Sequence, residues 1–135
     1  MSPSGETALQ ALLAGMEPVL DDALYVFAVD VPEEQRAQLQ PRMVFEEAEG
    51  TTLIVEKAQA DAAHIPYAFA CRRITLTVHS ALEAVGFLAR ITRHLAANGI
   101  STNAVSAFYH DHLFVPESRA DEAVALLEAL AQSID

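Results

Sequence analysis

The sequence is poor in the residues that several common functions need. It contains one cysteine, Cys71, which permits no internal disulfide and, lying in an apolar stretch, is expected to be a buried thiol. Only 8 lysines and arginines stand against 19 aspartates and glutamates, so the formal net charge is −11. This charge repels phosphate backbones and anionic lipid headgroups. We therefore expect no nucleic-acid partner and no membrane partner.

Segments that would direct the chain to a membrane or out of the cell are also missing. Residues 1–6 have neither a basic region nor a long apolar run, and no window approaches the roughly 18–20 apolar residues of a membrane span. The chain is nevertheless 52% hydrophobic, which is enough for one core or two small fused modules. The sequence predicts a cytoplasmic protein that folds on its own.

The sequence also lacks catalytic motifs. It has no Gly-x-Ser-x-Gly motif, no glycine-rich phosphate loop and no metalloprotease spacing. The acidic run at 46–49, just before Gly50, is typical of a charged and exposed hairpin end. We expect neither enzymatic activity nor a cofactor.

What the sequence does contain is an internal repeat. Residues 51–63 and 111–123 share a strand-to-helix pattern at a shift of 60 positions. Upstream, residues 25–29 match residues 74–78 at a shift of 49 positions. The difference between the two shifts is 11 residues, or about three turns of α-helix. It predicts a helix in the second copy where the first has only a short connection, Pro32 to Pro41.

The second copy has the clearer pattern of elements. Alternation and helical periodicity predict a β-α-β-β-α order, which lacks only a last strand to be a ferredoxin-like unit. The hairpin is expected to turn at His110-Asp111, and the long helix to stop at Asn98-Gly99. The predicted elements are a strand at 73–79, a helix at 85–98, hairpin strands at 101–108 and 112–115, and a helix at 119–132.

The first copy is predicted to be a degenerate version of the same unit. The apolar run 67–71 either closes this unit or lengthens the strand that follows, and both readings stay open. We expect an α+β protein of two tandem units, residues 1–71 and residues 72–135, packed as one body with antiparallel sheets and helices on one face. The first-copy elements are a leading helix at 7–15, a strand at 24–30, hairpin strands at 43–48 and 52–56, and a helix at 57–63.

Residues 78–91, followed by 95–103, resemble the first strand, ligand loop, helix and second strand of an ACT domain. The pattern of that family is a loop leading to a glycine at a helix start, here Gly86, and a helix that ends in a step such as Gly-Ile-Ser, here 99–101. The resemblance covers about residues 73–131.

The whole chain resembles small bacterial proteins built from two ACT-like units, related to the paired regulatory ACT units of aspartate kinases. Residues 109–115 resemble a further signature of that group. This resemblance implies a regulatory module that binds an amino acid or a similar small metabolite between paired units. Because a short two-unit chain leaves sheet edges uncovered, we also expect a homodimer.

A ligand site is expected at the start of the second-copy helix. A helix N-terminus offers unpaired N–H groups to a carboxylate, and Gly86 lets a ligand approach the backbone. The shift of 49 pairs this loop with the end of the first strand, where Asp30 could receive an amino group. The predicted ligand-binding residues are Asp30, Val31, His79, Ser80, Ala84, Val85, Gly86 and Phe87.

Three alternatives remain at this point. Ser80 and Glu83 fit a capping box that would occupy the helix end internally. His79, His110 and His112 could converge on a metal such as zinc, although solvated turn histidines are favoured and we predict no metal. The module could also serve only for dimerisation or docking, without a ligand.

Overall fold

A computed structural model describes residues 5–79 and 84–134, which form six strands and five α-helices. The elements of the first half are α1 (Gly5–Gly15), β1 (Pro18–Val29), α2 (Glu33–Leu39), β2 (Met43–Glu46), β3 (Thr51–Glu56) and α3 (Lys57–Ala62). Those of the second half are β4 (Ala68–Leu76), α4 (Phe87–Ala97), β5 (Asn103–Ser106), β6 (Asp111–Pro116), a 3₁₀ turn at Glu117–Arg119 and α5 (Ala120–Gln132).

All six strands belong to one antiparallel sheet, in the order β2-β3-β1-β4-β6-β5. Each half contributes three neighbouring strands, and β1 pairs with β4 in the middle. A ferredoxin-like unit needs a fourth strand beside its first. Here the first strand of each unit fills that position for the other unit, so the two expected sheets are one continuous sheet.

The internal repeat is confirmed by the pairing of the two hairpins. Phe45 pairs with Thr52 in the first hairpin, and Val105 pairs with His112 in the second. The other three pairs of each hairpin also correspond at the shift of 60, and the three central residues of β3 and of β6 are all buried. The duplicated pattern in the sequence therefore corresponds to a duplicated strand register.

The shift of 49 for the first strand is wrong. Phe27 pairs with Ile54 in the first unit, and Arg73 pairs with Phe114 in the second, so Phe27 corresponds to Arg73 at a shift of 46. A slip by three residues would place equivalent side chains on opposite faces of the sheet. The structural equivalent of Asp30 is therefore Leu76 rather than His79.

The first unit has a shortened helix where only a connection was expected. Pro32 at the N-cap has φ −54°, which suits a helix start, and Gln40 ends the helix in the left-handed conformation. Between them α2 has 7 residues against 11 in α4. A helix of about two turns therefore occupies the segment where the sequence predicted only a short connection.

The starts of β1 and β4 also differ from the predicted ones, because these two strands pair with each other. β1 begins at Pro18, six residues before the predicted start at 24, and pairs there with Leu76 of β4. β4 begins at Ala68, so the apolar run 67–71 lengthens the second-unit strand. Pairing between β1 and β4 therefore extends both strands beyond what their own sequences indicate.

All helices pack on one face of the sheet, as predicted. Side chains alternate along β1, so Val26 and Ala28 face the helices while Tyr25 lies on the other side. The helix side holds two buried clusters. The larger lies under α1, α4 and α5 and includes Ile74, Ile91, Leu113 and Leu127, and the smaller lies under α2 and α3 and includes Leu53, Val55 and Ala60.

The helix-free side of the sheet is concave, and we call it the concave face. Its buried residues are Tyr25, Ile54, Cys71 and Phe114. Met43 of β2 and Val105 of β5 both pack against this cluster, although β2 and β5 are the opposite edges of the sheet. The sheet therefore curls until its two edge strands approach each other over this face.

Candidate ligand-binding site

The start of α4 has no side-chain cap among the described residues, as a carboxylate site requires. Its N-cap is Gly86, which has no side chain to bond the first N–H groups of the helix and adopts φ 91°. Phe87 is buried and anchors the first turn in the core, whereas Val85 is 89% exposed. Unpaired N–H groups at a helix start bind anions by hydrogen bonding and by the helix dipole.

The predicted capping box does not cap α4, because the N-cap of that helix is Gly86. Ser80 and Glu83 themselves lie outside the described residues. Of the predicted loop, the structure describes His79, which is exposed just after β4, and Ala84 to Phe87. The described part of the loop therefore keeps the helix start free of a side-chain cap.

The leading helix α1 lies beside this helix start. A Cβ atom added to Gly86 would lie 3.5 Å from Cδ2 of Leu9. Leu13 and Met16 are buried in the same cluster as Phe87. Although α1 precedes the first unit in the chain, it packs on the second unit and forms one side of the candidate site.

Asp30 and Val31 lie at the other end of the sheet. Because β1 and β4 are antiparallel, Leu76 pairs with Pro18 at the start of β1, and Asp30 follows the end of that strand. The separation is roughly 35–40 Å of extended chain. The structure therefore does not bring Asp30 and the His79 to Phe87 loop together within one chain.

Val31 and Asp30 both make contacts within the first unit. Val31 is buried under α2 at 3% exposure. The Asp30 carboxylate lies directly against Gly50, where a Cβ atom would collide with it, and its N–H donates to the Thr51 carbonyl at 3.1 Å. Asp30 therefore packs against the end of the β2–β3 hairpin, although most of its surface is exposed to solvent.

The β5–β6 turn begins earlier in the sequence than predicted. The β5–β6 turn spans residues 107–110, closed by a bond from the Ala107 N–H to the His110 carbonyl, so the predicted His110-Asp111 turn is wrong. His112 lies within β6, with Nδ1 2.9 Å from the Thr75 hydroxyl. Among the described residues, no group of three His, Cys, Asp or Glu side chains could hold a metal ion.

A polar network on the concave face was not predicted. Asp21 Oδ2 accepts hydrogen bonds from the Tyr25 hydroxyl and from Arg73 Nη2, each at 2.6 Å. Burial alone would raise the pKa of Asp21, but these bonds and one from the Ala23 N–H lower it overall. Alternation along β1 does place Asp21 and Tyr25 on one face, yet Arg73 is too distant in sequence for any local pattern to add it.

None of the helices in the described ranges is both long enough and apolar enough to span a bilayer.

Models of the ACT domain family match the chain twice, over residues 4–72 and over residues 69–129. The two matches cover nearly the whole chain and meet on β4. No curated protein sequence matches the chain at a significant level.

Several solved structures share the fold. A Vibrio cholerae protein, described as of unknown function and a possible transport protein, is 39% identical with a TM-score of 0.86, and the match covers 96% of this chain and 100% of that one. An Agrobacterium tumefaciens protein is 15% identical, with a TM-score of 0.70 and coverage of 86% and 89%. The regulatory subunit of aspartate kinase from Thermus thermophilus is 12% identical, with a TM-score of 0.62 and coverage of 84% and 95%.

The last two likenesses show the fold alone, whereas the family matches concern the sequence itself. Two successive matches agree with the repeated hairpin register and with the β-α-β-β-α order of each half. ACT domains are typically regulatory ligand-binding modules. The chain belongs to the ACT domain family, as a tandem pair of ACT units that share one six-stranded sheet.

Proposed function

We propose that this protein is a regulatory module that binds an amino acid or a similar small metabolite and has no catalytic activity of its own. The observation that carries the proposal is the start of α4, where Gly86 is the N-cap and no described side chain caps the first helical N–H groups. A ligand carboxylate would accept hydrogen bonds from the backbone of residues 87–89. Its apolar part would contact Val85 and Leu9, which lie beside this point.

We also propose that the complete site needs two copies of the chain, each built from two units that join at the start of β4. Asp30 can face the α4 loop only if it comes from a second protomer, because the two lie at opposite ends of β1 and β4. Among the described residues, the outer edges of β2 and β5 have no strand partner, and such edges favour pairing between chains. A two-fold homodimer is the usual arrangement for such pairing. The cytoplasmic location of the protein stays a prediction.

A thermal-shift panel of the twenty amino acids tests the proposal, because a ligand that binds only the folded state raises Tm. Val85→Asp would place a negative charge beside the helix start while leaving the core untouched, and we expect it to reduce the affinity for the active amino acid at least tenfold. Ala129→Asp, an exposed change on α5, is the charge-matched control and should bind as the parent does. Absence of any shift would favour a module that serves only for dimerisation or docking, whereas full binding by Val85→Asp would show that the ligand binds away from the start of α4.

A further inference from the structure

A small cavity lies on the concave face, on the side of the sheet opposite α4. Its volume is about 110 Å³. Met43 of β2 and Val105 of β5 form two of its walls, and Phe114 of β6, which is 3% exposed, forms the base. Because the cavity lies between the two edge strands, it exists only through the curl of the sheet.

The polar lining of this cavity is basic. Arg42, Arg73 and His112 line it, and none of the described lining residues is acidic. The whole chain has only 8 lysines and arginines against 19 acidic residues, so two of its few basic side chains meet at this one small cavity. Each guanidinium carries several N–H donors, which suit the oxygens of a small anion.

Carboxylates outside the cavity hold both arginines in place. Asp21 binds Arg73 Nη2 at 2.6 Å, and Glu56 binds Arg42 Nη2 at 3.2 Å. The Arg73 guanidinium also lies 5.2 Å from the centre of the Tyr25 ring. These contacts orient the side chains, Arg73 more than the exposed Arg42, so less conformational entropy is lost when a ligand binds.

One donor in this arrangement has no acceptor. Arg73 Nε is buried and makes no hydrogen bond with any described residue. A buried donor without a partner costs on the order of 1–3 kcal/mol, and more when the group is charged. Arginine presents its Nε–H beside other guanidinium N–H groups in a planar fork that matches two oxygens of a carboxylate or phosphate. An oxyanion in the cavity would supply the missing acceptor.

His112 adds polarity without adding charge at neutral pH. Burial lowers the pKa of His112, the neighbouring Arg73 and His110 side chains lower it further, and Asp111 opposes them in part. The ring is oriented by the contact between Nδ1 and the Thr75 hydroxyl at 2.9 Å. A neutral, oriented imidazole can donate one hydrogen bond to an anion.

We propose that the cavity is a binding site for a small oxyanion, either inorganic phosphate or a short carboxylate, held by the Arg73 fork with Arg42 at its rim. A volume of about 110 Å³ equals roughly three or four water molecules at about 30 Å³ each, which suits a few heavy atoms better than a whole amino acid. The site is separate from the start of α4, so it does not depend on the function proposed above.

Titration with sodium phosphate and with sodium acetate, followed by backbone amide NMR at constant ionic strength, tests this site. Sodium chloride serves as the salt control. We expect saturable shifts, with one binding event per chain, at the amides of Val105, Ala107 and His112. Phosphate and acetate are separate arms, and the one that saturates at the lower concentration identifies the preferred oxyanion. Shifts that rise linearly with both salts would overturn the proposal.

Two variants test the assigned residues. Arg73→Lys keeps a positive charge facing Asp21 but lacks the Nε–H donor, and Arg42→Gln removes an exposed charge at the rim. Each should weaken binding at least tenfold, with far-UV circular dichroism unchanged. Arg93→Gln, an exposed change on α4, is the charge-matched control and should bind as the parent does. If Arg42→Gln remains folded and both cavity variants bind as tightly as the control, the site is refuted.

Discussion

Tyr25 and Cys71 pair with each other in the middle of the sheet, and each is the structural equivalent of the other. Tyr25 also pairs with Glu56 and Cys71 with Pro116, positions that correspond at the shift of 60. When two equivalent residues pair with each other, the symmetry axis that relates them lies between them. The approximate two-fold axis relating the two units therefore passes between these two residues, which are 1% and 0% exposed.

This position should make Cys71 chemically inert. Burial raises the pKa of the thiol to about 12, and Cys71 donates a hydrogen bond to the Tyr25 carbonyl at 3.3 Å. Because the thiolate is the reactive species, we expect no reaction with an aromatic disulfide reagent at pH 8 until the protein is unfolded in denaturant. The double variant Cys71→Ala/Ser106→Cys, with an exposed thiol, should react at once. Rapid labelling of the native parent would contradict the buried position.

The Asp21 network should make stability depend on pH in the acid range. The pKa of Asp21 is lowered in the folded state from 3.8, so its contribution is complete above about pH 4 and is lost as the pH falls through the lowered value. Asp21→Asn should cost about 1–2 kcal/mol at pH 7, since the side chain is partly exposed and bonds two groups. Urea unfolding of parent and variant at pH 7 and pH 3 measures this difference.

The neighbouring Asp22 supplies the control for that measurement. Its side chain is fully exposed and lies 3.9 Å from Arg72. Asp22→Asn should therefore change the free energy of unfolding by less than about 0.5 kcal/mol at either pH. A difference between parent and Asp21→Asn that persists unchanged at pH 3 would mean that its cause is packing and not ionisation.

Two exposed glycines, Gly99 and Gly15, differ in backbone conformation. Gly99, the predicted stop of α4, has φ 73°, and a Cβ atom there would meet nothing within 4 Å. Gly99→Ala should cost about 1 kcal/mol from conformation alone. Gly15 ends α1 without a positive φ and has ordinary space for a methyl group, so Gly15→Ala should be neutral or stabilising by up to about 1 kcal/mol. Equal effects of the two changes in thermal unfolding would refute this distinction.

Local patterns in the sequence predicted the local elements well. The apolar period between Val85 and Asn98 predicted α4 to within two residues, and the two hairpins were placed with similar accuracy. These features depend on residues that are close in sequence, which is why periodicity reports them. The shift of 60 could be found for the same reason, because it compares complete hairpins.

The central pairing of β1 with β4 could not be predicted in this way. Residues 18–22 include a proline and two aspartates, which disfavour strands, yet they extend β1 because β4 lies beside them. The same pairing sets the shift of 46 and places Asp30 far from Gly86. The polar network of Asp21, Tyr25 and Arg73 also depends on it, since Arg73 is brought to β1 by β4.

The curl of the sheet predicts an energetic link between its two edges. Met43 of β2 and Val105 of β5 line one cavity and pack against one buried cluster, although their strands are five places apart in the sheet. In a double-mutant cycle, Met43→Ala and Val105→Ala should therefore show a coupling of at least about 0.5 kcal/mol in urea unfolding. Val44 follows Met43 but points to the other face and is 50% exposed, so Val44→Ala and Val105→Ala should be additive. Additivity in both cycles would mean that the edges do not approach each other in solution, and that the cavity is open rather than enclosed by the two strands.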